Sequence, residues 1–130
     1  MNKGGMRMGI KFIKVAVVYF VIGVLMGMYM SMKQDYTLAG VHVHVNLLGW
    51  VSFALSGIVY ILFPKAEASR LTPIQFWIHN IGFPVMMLGL TFVLNGATEY
   101  EPVIAIGATL VVVSVILFAV NVLMNVRSKD

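Results

Sequence analysis

The chain contains no cysteine. That absence excludes disulfides, zinc–thiolate centres, cysteine-held iron–sulfur clusters and covalently attached c-type haem. Charge is scarce as well. Only 11% of the 130 residues are Asp, Glu, Lys or Arg, against about 25% in an ordinary soluble domain. Hydrophobic residues make up 60% of the chain. A soluble domain of this size cannot hide so much apolar surface, because small domains bury only part of their chain. The balance argues against a soluble enzyme, a nucleic-acid binder and a disordered tail. A sequence pI of about 9.6 would ordinarily suggest nucleic acid. Here the nine Lys and Arg sit mostly at the ends of apolar runs, which is the pattern of membrane topology.

What is present is four charge-free runs: Val15 to Met32, Tyr36 to Pro64, Leu71 to Thr98 and Pro102 to Val126. A membrane helix needs about 17 to 25 apolar residues, and each run qualifies. The links between them are short, which makes sequential helices antiparallel neighbours. The expected fold is all-α: an integral membrane four-helix bundle, one domain over 1–130, with helices at roughly 10–32, 38–63, 73–95 and 102–125. The first run is too long for the apolar region of a secretory signal, and no A-x-A site follows it.

Lys and Arg asymmetry sets the expected orientation. With the N-terminus in the cytoplasm, the inside holds Lys3, Arg7, Lys11, Lys14, Lys65, Arg70, Arg127 and Lys129, and the outside only Lys33. Asp35, Glu99 and Glu101 collect outside. Both termini are therefore expected in the cytoplasm, in a multi-pass protein of the cell inner (cytoplasmic) membrane.

No carboxylate, lysine or arginine lies inside the runs, which argues against a proton pump, an antiporter or a voltage sensor. Three histidines do: His42, His44 and His79. Helix positions i and i+2 are about 200° apart and about 3 Å apart along the axis. His42 and His44 therefore cannot chelate one metal from a regular helix, but each can serve a separate site on its own side. The plainer role for each is a hydrogen bond to a neighbouring helix or an interfacial water. His79 is expected about two turns from the inner surface. The vertical gap to the other two is then on the order of 15 Å, so His79 is a poor partner for His44 across one iron. Its expected role is to join helices together with Asn80; the sharper alternative is a separate inner cofactor. Met26, Met28, Met30 and Met32 spread around the first helix. They read as flexible apolar packing, with thioether ligation of haem iron or Cu(I) as the alternative.

His42-Val43-His44, followed by Gly49, Gly57, Tyr60 and Phe63-Pro64, resembles the late His-x-His helix of subunit one of the haem–copper oxidases and nitric oxide reductases. Phe76 through Ile81-Gly82-Phe83-Pro84 to Gly89-Leu90 resembles the helix after it. The resemblance covers roughly residues 39 to 125. It implies that His42 resembles the ligand of the high-spin haem and His44 one ligand of the low-spin haem. The family's other haem ligand, its copper-binding histidines and its cross-linked tyrosine lie on helices with no counterpart here. A complete oxygen- or nitric-oxide-reducing site is thus not evident in one chain. The family's subunit has twelve helices in three arcs of four, which implies a homotrimer of this chain with His44 of one copy meeting His42 of the next.

The leading expectation is a b-type haem protein of the membrane, acting in electron transfer or diatomic-gas binding, with His42 and His44 as metal ligands and a redox partner that the sequence does not identify. The alternatives are an outer-leaflet copper site built from His42 or His44 and the first-helix methionines, and a structural membrane subunit without a cofactor.

Overall fold

A computed structural model describes residues 6–128; Lys3 and Lys129, counted above for topology, lie outside the described residues. Four helices are long and apolar enough to cross a membrane. They are α1 (Met8–Lys33), α2 (Ala39–Leu62), α3 (Leu71–Leu94) and α4 (Glu101–Asn125), the last preceded by a 3₁₀ turn at Thr98–Tyr100. A one-turn helix, Pro64–Glu67, lies between α2 and α3. Among the described residues there is no strand. Side chains such as Val18, Leu25 and Leu123 face outward with most of their surface uncovered, as an apolar shell in lipid requires.

Lipid offers no hydrogen bonds, so each helix end must find partners within the protein. At its start α1 has no side-chain cap of its own. Glu67 supplies one from across the bundle: its Oε2 accepts the Gly9 N–H at 2.8 Å. Its Oε1 accepts from Arg7 Nη2 at 2.6 Å and Nε at 2.8 Å. Glu67→Ala removes these three acceptor contacts together. Charged hydrogen bonds contribute about 1.5–3 kcal/mol each, partly offset here by the exposure of Arg7. A loss of about 2 kcal/mol is expected on unfolding in mixed micelles; an unchanged midpoint would show that the cap contributes nothing. The other end of α1 closes with Gln34 in the left-handed region at φ 51°, and the Asp35 N–H returns to the Met30 carbonyl at 3.2 Å, a Schellman arrangement.

Two apolar clusters fill the interior. Near the Glu67 end, Phe12, Phe53, Tyr60 and Phe76 are buried together, with Phe12 ringed by the other three at 5.0–5.7 Å between centroids. Towards the α1–α2 connector, Val41, Val45, Phe83, Met86, Met87 and Val111 form the second. Fully buried Asn121 on α4 joins the pieces at the first end. Its amide nitrogen donates to Thr72 Oγ1 at 3.0 Å and to the Ala66 carbonyl at 3.1 Å, and more weakly to Tyr60 Oη at 3.3 Å. The Tyr60 hydroxyl in turn donates to Gln75 Oε1. Unpaired, these groups would be costly in hydrocarbon; paired, they tie α2, α3 and α4 together. Helix α3 stays helical through Pro84.

Candidate functional site

The His-x-His pair lies on the first turns of α2, in the α-helical stretch Ala39–His44. From Val45 to Val51 the same helix is wound as a π-helix, and α-helix resumes at Ser52. The two histidines diverge. His42 points at α1: a Cβ on Gly27 would lie 3.0 Å from its ring. One turn on, Asn46 packs against Gly23 of α1. Gly40, one turn before His44, faces Leu90 and Leu94 of α3, so His44 stands on the α3 side.

Their hydrogen bonds differ in the property that matters for ligation. An imidazole that binds a metal usually donates its other N–H to a carbonyl or carboxylate, which fixes the tautomer. His44 has that arrangement. Its Nδ1 lies 2.7 Å from the Gly40 carbonyl oxygen; a carbonyl only accepts, so the proton sits on Nδ1. Nε2 keeps its lone pair and has no protein partner among the described residues. His42 is engaged the other way round. Asn46 Nδ2 donates to its Nε2 at 3.3 Å, and its Nδ1 is buried with no partner. His44 could therefore hold a haem iron as it stands. His42 could do so only after Asn46 turns away from Nε2.

His79 is placed apart from both. It is 3% exposed, donates from Nε2 to the Leu48 carbonyl at 3.0 Å, and packs on Phe53 with centroids 4.2 Å apart. Leu48 and Phe53 lie four and nine residues beyond His44, which is about 6–14 Å along a helix. The ring thus joins α3 to the π-wound part of α2. Asn80 takes no part in that bond: its amide donates to the Phe76 carbonyl of its own helix at 2.8 Å.

Of the four methionines near the end of α1, Met26 and Met30 share one face, at i and i+4. They line a cavity of about 420 Å³ that also includes Asp35 and Asn95 but neither histidine. Among the described residues no group of three His, Cys, Asp or Glu side chains converges as a metal would require.

Two features of this region are absent from the sequence reading. The G-x-x-x-G spacing of Gly23 and Gly27 was available there: four residues apart, they admit Asn46 and His42 against the α1 backbone. The π-winding has no compositional signature. It follows the histidines directly, as such segments often do at functional sites. It also carries the carbonyl that receives His79.

A family model described as cytochrome c and quinol oxidase polypeptide I matches residues 7–130. Searches of the curated proteins and of the solved structures return no match. The family match spans all four membrane helices and the divergent histidine pair, and the chain belongs to the cytochrome c and quinol oxidase polypeptide I family, that of haem–copper oxidase subunit one.

Proposed function

We propose that this protein is a membrane-integral b-type haem protein in which His44 is the first axial ligand, serving electron transfer or the binding of a diatomic gas. The observation that carries this is the His44 ring itself: Nδ1 is pinned by the Gly40 carbonyl and Nε2 is free. When bound, the haem supplies one-electron iron chemistry or an open coordination position. The chain's part is to hold His44 in one tautomer, to exclude water with the apolar faces around it, and to keep His79 engaged elsewhere.

A second ligand comes from another copy. A ring of three chains repeats one interface and presents the α2 histidines at a common height, so that His44 of one copy meets His42 of its neighbour. This pairing requires His42 to exchange Asn46 for iron, and the unpartnered Nδ1 marks His42 as the less settled of the two rings. Mixing His42→Ala with His44→Ala protein is expected to restore part of the low-spin α band that each variant lacks alone, since some interfaces in mixed rings keep both ligands. No recovery despite co-assembly would end the shared-site reading.

The reading as a whole is tested by the visible spectrum of purified protein supplied with haem b. A sharp α band on reduction is expected. A colourless protein that retains copper would replace it with the copper reading. The inner membrane and the cytoplasmic termini belong to the same proposal. Reporter fusions after Asp130 and within 65–70 are both expected to behave as cytoplasmic, and a periplasmic signal from either would reverse the orientation.

A further inference from the structure

A trough follows one stripe of α1 at the end where the α1–α2 connector lies. Ile22, Leu25, Met26 and Tyr29 line it in steps of three and four residues, as one helix face demands. From Ile22 to Tyr29 it runs about 10 Å along the helix. Ile22, Leu25 and Tyr29 are exposed, so the trough opens sideways towards lipid. Its lower part is apolar. Its upper part reaches Asp35 of the connector and Asn95 at the end of α3. The volume of about 420 Å³ lies within the usual range of ligand sites, about 300–1,000 Å³.

The charged group at the top is an acceptor. Asp35 Oδ1 accepts both the Thr37 hydroxyl at 2.6 Å and the Thr37 N–H at 3.0 Å. These bonds, the hydroxyl's foremost, hold its carboxyl below the usual range, so it is ionised at neutral pH. Asp35 Oδ2 has no partner among the described residues. Asn95, beside it in the lining, gives one amide N–H to the Thr91 carbonyl at 2.8 Å. A carboxylate with one unshared oxygen calls for a cation that donates N–H bonds. A primary ammonium has three, whereas a quaternary ammonium has none.

We propose that this trough holds an acyl chain of a primary-ammonium phospholipid, phosphatidylethanolamine, with the ammonium at the Asp35 carboxylate. An apolar channel with a carboxylate at its mouth matches a lipid whose chain fills the channel and whose headgroup carries N–H donors. The assignment is independent of haem, since no histidine borders the trough.

The test is native mass spectrometry of the full chain, delipidated in detergent and offered phosphatidylethanolamine, phosphatidylcholine and phosphatidylglycerol with identical acyl chains. Phosphatidylethanolamine is expected to be retained about tenfold better than either of the others. Asp35→Asn keeps an oxygen for Thr37 but removes the charge, and is expected to lower its retention to the level of phosphatidylcholine. Ile22→Trp fills the trough at a lipid-facing position and is expected to abolish selective retention with Asp35 intact. Equal retention of the ethanolamine and choline lipids, preference for the glycerol lipid, or an unchanged preference in either variant overturns the proposal.

Discussion

Replacing His44 with alanine is expected to empty the haem site, lowering retained haem at least about tenfold, a change equivalent to about 1.4 kcal/mol or more of binding free energy. The size follows from what is lost. His44 offers the only α2 imidazole nitrogen that already has a lone pair, a fixed tautomer and no competing protein partner. Without it, iron must displace Asn46 from His42 to find any imidazole on this helix. His42→Ala is expected to act differently. Haem stays on His44 but loses its sixth ligand, so the sharp low-spin α band gives way to a high-spin spectrum with part of the haem retained. His79→Ala is expected to leave the spectrum intact while lowering stability, because it removes the donor to the Leu48 carbonyl and opens a gap beside Phe53. Absorption spectra of the three variants at equal protein concentration separate these outcomes. If His79→Ala empties the protein while His44→Ala does not, the ligand assignment fails.

That ranking of the histidines shows where sequence reasoning reaches and where it stops. The four spans are legible because lipid tolerates neither charge nor unpaired backbone, so the runs between charges are the helices themselves. Their ends are less so. Helix α1 begins at Met8, ahead of the expected start at 10, where the Gly9 N–H is served by Glu67, 58 residues away in the chain. Helix α3 begins at Leu71 rather than 73, since proline is tolerated within the first turn. The divergence of His42 and His44 is a matter of helix geometry and needs only the sequence. Which of the two is free is not: it depends on Gly23 and Gly27 of another helix letting Asn46 and His42 close on α1. The hub around Asn121 is equally hidden, because its acceptors come from Tyr60, Ala66 and Thr72, all distant in the chain.

Gly107→Ala is expected to be the most destabilising single methyl addition in the bundle. Helices α3 and α4 meet through glycine. A Cβ on Gly82 would lie 2.5 Å from Leu110 Cβ, and one on Gly89 would lie 2.9 Å from the Ile104 nitrogen. At Gly107 the obstruction is firmer still, because the Cβ would collide with the backbone nitrogen and Cα of Met86. None of these atoms can rotate away, and the contact at Gly107 is the closest of the three, so the two helices must move apart. The separation would loosen Phe83, Met86, Met87 and Val111, the cluster behind the histidine pair. Overpacking in a tight interior costs about 1–3 kcal/mol and occasionally more, and about 3 kcal/mol is expected here. That figure is net of the gain of about 1 kcal/mol that alanine brings over glycine in a helix. Gly40→Ala is the natural control: its Cβ would meet only Leu90 and Leu94, at 3.9–4.0 Å, so it is expected to be neutral or slightly stabilising. Unfolding in mixed micelles, followed by circular dichroism, measures both. A Gly107→Ala protein as stable as the parent would mean that α3 and α4 do not pack through this glycine, and the position of the inner cluster would have to be redrawn with it.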